Sequence, residues 1–188
     1  MDVLTTGICN IGIGIHALGA STTGCQNVAI GLTAMGGAIT TANDNVAIGQ
    51  TAMDAVTDGG TNVAIGKNAQ SALTGGSNNV AIGPTAMGAG TTTANDNVAI
   101  GNLTADALTS GKANIAMGHN ALGASTTGCY NLALGACALG TGVVTGINNI
   151  ALGSNAADAL TTGACNVAIG TNAYGAALAG ARNIAIGE

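Results

Sequence analysis

Asn27-Val28-Ala29-Ile30-Gly31 carries no charge, no nucleophile and no aromatic ring, yet it returns unchanged at Asn45, Asn62, Asn79, Asn97 and Asn166. Looser versions, with Val, Ile or Leu second, Ala or Gly third and Ile, Leu or Met fourth, begin at Asn10, Asn114, Asn131, Asn149 and Asn183. Successive motif asparagines are 17, 18, 17, 17, 18, 17, 17, 18, 17 and 17 residues apart, a second-order period of 17 + 17 + 18 = 52. The longer period is visible in the letters: TTANDNVAIG fills Thr40 to Gly49 and again Thr92 to Gly101, and Asp54, Asp106 and Asp158 keep the same step. Self-similarity at a fixed period marks a repeat architecture. Residues 1–188 therefore read as one repeat domain whose coils start at Asn10 and at each motif asparagine that follows.

A unit of 17 residues is too short for a helix pair, which takes about 33 or more. Within the motif Val28 and Ile30 point one way and Ala29 the other, the period of a strand. One short strand, a turn, a second short strand and a return give one coil of a parallel β-solenoid. Identical residues in neighbouring coils then stack about 4.8 Å apart. The fold class is all-β, a parallel β-solenoid of about eleven coils of 17–18 residues.

Count the motif asparagine as position 0. Positions 1 and 3 are large and aliphatic in every coil, so Val28, Ile30, Val46, Ile48, Val63, Ile65, Val80, Ile82, Val98 and Ile100 are expected to fill the interior. Position 7 is Ala except at Thr104, and position 8 is mostly Leu or Met; this second strand is expected to face the first across a thin core. Position 14 is Gly in the 17-residue coils but Thr41, Thr93 and Thr145 in the longer ones, which implies a wide turn or bulge after it on one corner every third coil. Asn and Gly tolerate left-handed backbone, so both are expected to turn the chain at a strand end. Asn27, Asn45, Asn62, Asn79, Asn97, Asn114, Asn131, Asn149 and Asn166 also form a column able to hydrogen-bond amide to amide.

Position 2 is Ala in every coil but the first, which has Gly12. Opposite the expected core of Val and Ile, this column of Ala29, Ala47, Ala64, Ala81, Ala99, Ala116, Ala133, Ala151, Ala168 and Ala185 is expected to face outward. Small residues let backbones approach, and a thin core without aromatics needs burial beyond one coil. The column is therefore expected to be an oligomer interface, with three copies meeting around an axis as a homotrimeric rod.

Composition narrows the function. Charged residues are 6% and aromatics 1%, with 32 Gly. Disordered chains are polar and charged, and mean hydropathy here is positive, +0.47. No apolar run approaches the roughly 20 residues of a membrane span, and Met1 to Thr5 does not open a signal peptide. Three Lys and Arg exclude a basic nucleic-acid face. Cys9, Cys25, Cys129, Cys137 and Cys165 match neither a CxxC metal site nor a dense disulfide framework. His16 and His119 lie about six coils apart and cannot share a metal within one chain. Asn43-Asp44-Asn45 and Asn95-Asp96-Asn97 offer calcium one carboxylate per turn, too few for a site. The position-12 threonines, Thr22, Thr57, Thr74, Thr91, Thr109, Thr126 and Thr161, form a column broken at Ile39, Val143 and Leu178. An ice-binding face is one reading of it; β-branched residues suited to a strand ladder are the other. No catalytic constellation, metal site or cofactor site is assigned.

The repeated NVAIG motif, from Ile8 to Gly187, resembles the head repeat of trimeric autotransporter adhesins (the YadA-type head) and similar repeats of bacteriophage tail fibres. The resemblance implies a left-handed β-roll, a homotrimer and a role in attachment to surfaces, outside the cell on a virion or cell surface. The coils here are longer than the adhesin repeat, and residues 1–188 are read as repeats alone, without a stalk coiled coil or membrane anchor among them. Neither end carries a polar or helical cap, so each is expected to abut more β-solenoid, a stacked copy or the remainder of a longer fibre. A filament subunit stacking end to end is the alternative function, and the receptor is not legible.

Overall fold

The computed structural model describes residues 5–38, 40–90 and 93–188. Eleven three-residue strands form one parallel sheet in chain order, from β1 (Ile11–Ile13) and β2 (Val28–Ile30) through β3 (Val46–Ile48), β4 (Val63–Ile65), β5 (Val80–Ile82), β6 (Val98–Ile100), β7 (Ile115–Met117), β8 (Leu132–Leu134), β9 (Ile150–Leu152) and β10 (Val167–Ile169) to β11 (Ile184–Ile186). Register is kept position by position: Val46 pairs with Val63, Ala47 with Ala64, Ile48 with Ile65. The molecule is a parallel β-solenoid of about ten turns, with no helix among the described residues.

Among the described residues each coil has one strand, not two. The side facing β1–β11 is a stack of turns, yet it is still laddered: the Leu18 N–H donates to Ala34 O at 3.0 Å and the Thr33 N–H to Ile15 O at 2.9 Å. It is not strand because positions 6 and 8 of every complete coil are left-handed, as in His16 (φ 56°) and Leu18 (φ 52°). Left-handed backbone costs an L-residue roughly 1–2 kcal/mol; coil-to-coil hydrogen bonds and burial of position 8 offset it. The third left-handed column is the residue before each motif asparagine, from Cys9 (φ 60°) to Arg182 (φ 61°). The motif asparagine therefore does not make the turn; the residue ahead of it does, and the glycine at position 4 makes the next. At Gly49 (φ +140°) a Cβ would lie 2.4 Å from Gly66 O, so only glycine fits.

The expected facing is inverted. Ala29, Ala47, Ala64, Ala81, Ala99, Ala116, Ala133, Ala151 and Ala168 are fully buried inside their own coil; Ala185, in the last strand, is partly exposed. The alanine column is thus not an outward contact surface. Val28, Ile30, Val46, Ile48, Val63, Ile65, Val80, Ile82, Val98 and Ile100 stand on the outer face, only partly covered by their column neighbours. The reason is volume. The alanines already face buried Ala34, Met35, Ala52 and Met53 across the coil, and a coil of this circumference has no room for a second layer of branched side chains.

The interior is filled by trade between positions 8 and 11. Ala105 and Ala157 are followed by Leu108 and Leu160, whereas Leu18 and Leu122 are followed by Ser21 and Ser125; all eight are buried. In these four coils a large residue at one site leaves space for a small one at the other, which holds the packing density; Met53 with Val56 and Gln70 with Leu73 are buried at both sites. In the 18-residue coils the inward residue shifts from position 11 to position 13, at Thr40 and Val144. The extra residue therefore enters before position 13, not after position 14.

Candidate functional site

The buried asparagine column is built from its amides. Asn79 Nδ2 donates to Asn62 Oδ1 at 3.1 Å and to Ala94 O at 2.8 Å. Asn79 Oδ1 accepts the Asn97 backbone N–H at 3.0 Å and Asn97 Nδ2 at 3.1 Å. The same set joins Asn27, Asn45 and Asn62, and Asn114, Asn131, Asn149 and Asn166. At Asn183 the acceptor on the far side is Tyr174 Oη, 2.8 Å away. Every lone pair and proton of the interior amides is used, so the column is a structural rail with nothing left for a ligand.

The remaining chemistry-bearing residues have local work. The Asp106 carboxylate accepts the Ala89 N–H at 2.9 Å and Asp158 accepts the Thr141 N–H at 3.2 Å. Asp54 lies against the backbone of Gly36 and Gly37. These three aspartates close the wide turn of the preceding 18-residue coil, which explains their 52-residue step. Burial raises the Asp54 and Asp106 carboxyls above the usual range, and the backbone N–H groups oppose it. Cys25 Sγ and Cys129 Sγ accept the N–H groups of Ile8 and Lys112 at 3.5 and 3.4 Å. Asn43 and Asn95 do the same for Cys25 and Ser77 at the equivalent position. These two thiols are therefore small acceptors, and all five cysteines are free.

Two threonine hydroxyls of the position-12 column bond along the axis: Thr57 and Thr109 each donate to the carbonyl of the next coil's threonine at 3.0 Å. Thr91 and Ile39 lie outside the described residues. His16 and His119 are exposed on separate coils. Among the described residues no three His, Cys, Asp or Glu side chains are placed to hold a metal, and no helix is long and apolar enough to cross a membrane. An open hollow of about 380 Å³ is lined by Asn155, Asp158, Asn172, Gly175 and Ala176, with one carboxylate and no partner base.

What stands out is the outer face of the sheet. Its two columns, Ile11 to Ile184 and Ile13 to Ile186, are aliphatic or Met in all eleven strands. Even mid-array, Ile115 is 42% and Met117 40% exposed. Ten steps of about 4.8 Å and two columns make a strip about 50 Å long and about 10 Å wide, roughly 500 Å² of footprint without a polar interruption. Scattered exposed apolar residues are ordinary, but a continuous strip of this size marks an interaction surface. Alternation and side-chain size place these residues in the core; only the absence of Phe and Trp, and the alanine column itself, signal how small the interior is.

No family model, curated protein or solved structure matches this chain.

Proposed function

We propose that the chain is a structural fibre module for surface attachment, assembled as a parallel homotrimeric rod through the outer Val/Ile face. The uncovered aliphatic strip carries the reading. A partner must supply apolar atoms at the strip's own repeat over about 50 Å. A second copy of the chain, laid parallel, does so by construction, and three copies around an axis cover all three strips. The NVAIG resemblance to trimeric adhesin heads and tail fibres supports the same assembly, a left-handed winding and a place outside the cell on a virion or cell surface. The role is mechanical and non-enzymatic, without metal or cofactor.

The test is mass and disruption. Native mass spectrometry should give three chains, and Ile82→Glu with Ile100→Glu should give a monomer, because charges buried unpaired in the seam cost several kcal/mol each. A monomeric parent chain, or a trimer that survives both substitutions, refutes it. A filament stacking end to end is the second reading, which electron microscopy of the purified chain separates by length. Ice binding is disfavoured because the column is broken at Ile39, Val143 and Leu178 and the Thr57 and Thr109 hydroxyls donate to backbone carbonyls.

A further inference from the structure

The outer face has two edges, and their charges match. One edge is the column just before the motif asparagine, the other the column at position 5. The first carries Asp44, Asp96 and Arg182, and the second Lys67, His119 and Glu188; the rest of both columns is uncharged. Asp44 and Lys67 are 23 residues apart, and so are Asp96 and His119. Each aspartate therefore has a basic residue one coil further along on the opposite edge. The third 52-residue equivalent is neutral on both sides, Asn148 against Thr171. Arg182 and Glu188 share one coil, on opposite edges. The three 52-residue equivalents thus set Asp44 against a lysine, Asp96 against a histidine and the neutral Asn148 against a threonine.

Among the described residues no ion pair joins the two edges within a chain; the outer strand face lies between them, six residues from edge to edge. Among the described residues neither Asp44 nor Lys67 has an ion-pair partner. In a ring of copies the contact is heterologous: one copy's first edge meets the next copy's second. Around an axis parallel to the solenoid, equivalent coils lie at equal height. Twenty-three residues, about one and a third coils, then amount to an axial offset of about 6 Å, within reach of a lysine stem. At nearly the same height as each aspartate stands a carboxamide, Gln50 for Asp44 and Asn102 for Asp96.

We infer that Asp44 to Lys67 and Asp96 to His119 are interchain pairs that fix adjacent copies parallel and in register along the seam. The aliphatic strip alone repeats at every coil, so it is nearly indifferent to sliding by one coil; charges spaced 52 residues apart are not. This inference rests on the trimer reading.

The experiment mixes ¹⁴N- and ¹⁵N-labelled chains and applies a zero-length carbodiimide, which joins only carboxylates and amines in contact. An Asp44–Lys67 product of mixed isotope composition is expected. Asp44→Lys and Lys67→Asp should each weaken assembly roughly tenfold, summed over three seams, and the double variant should restore it. Arg182 already occupies the same left-handed column as Asp44, so a basic residue is tolerated there. A stable trimer with no mixed product, whose double variant is no better than the singles, overturns the pairing and leaves the trimer standing. A monomeric parent chain overturns both.

Discussion

Replacing Asn79 tests the rail that holds the coils together. Alanine there removes two donated and two accepted hydrogen bonds, and leaves the backbone N–H of buried Asn97 without its acceptor. A net bond contributes about 1 kcal/mol, and an orphaned buried donor costs about 1–3, so Asn79→Ala should cost roughly 3–5 kcal/mol. Aspartate keeps the shape and the acceptor for Asn97, but sets a second carboxylate oxygen where Nδ2 now lies 3.1 Å from Asn62 Oδ1 and 2.8 Å from Ala94 O. Three acceptors without a proton favour the neutral acid, so this carboxyl titrates above its unfolded value of about 3.9. Its stabilising form is therefore protonated, and that contribution is lost as pH rises through the raised value. Asn79→Asp should match or exceed the alanine cost at pH 7 and recover part of it on acidification, while Asn79→Ala should track the parent. The assay is urea unfolding by far-UV circular dichroism at fixed protomer concentration, from neutral pH down to about pH 3. A loss below about 1 kcal/mol for alanine, or an aspartate curve parallel to alanine, would refute the account.

Ala81→Leu should destabilise by about 1–3 kcal/mol or more through overpacking, and Met53→Ala by about 2–5, both by urea unfolding; Ile82→Ala should cost an isolated chain less than either, and equal costs would return the facing to doubt. Gln70 is fully buried with its Oε1 unpaired, in a column otherwise rich in Leu and Met, so Gln70→Met should raise the thermal midpoint by about 1 kcal/mol equivalent. Asp106→Asn keeps an acceptor for the Ala89 N–H and removes a carboxyl that burial holds high. The parent should gain stability as pH falls through that raised value towards the unfolded one, near 3.9, and the variant should lack this gain in acid titration of the melt. Gly49→Ala, with a Cβ driven against Gly66 O, should be among the most damaging single-methyl additions in the chain, read as lost soluble yield or a lowered midpoint.

The interior explains why such small changes matter. The large side chains of the interior come from positions 8 and 11, and the strand residue opposite them is alanine. Each coil thus buries little apolar area, and stability accumulates along the stack through nearest-neighbour contacts. A defect in one coil is felt by the two it touches. The uncovered outer strip is the obvious reserve, since covering it adds burial that no coil supplies from within.

The sequence by itself determined where each coil begins, that its strands pair in parallel, and their register, because an identical residue every 17 or 18 places can stack only on itself. It also marked the second-order corner through Asp54, Asp106 and Asp158, though not their task of closing the turn before them. Which face of the strand lies inside was decided only by the tertiary structure. Alternation of Val28, Ala29 and Ile30 is unchanged by turning the strand over, and hydrophobicity favours the wrong choice, since the larger side chains remain outside. The deciding quantity is the volume a coil encloses. That volume is set by three left-handed corners occupied by His16, Leu18, Gln26 and their equivalents, residues with no common signature of such backbone. The edge charges follow from the same decision: Asp44 and Lys67 become partners only once the face between them is known to look outward.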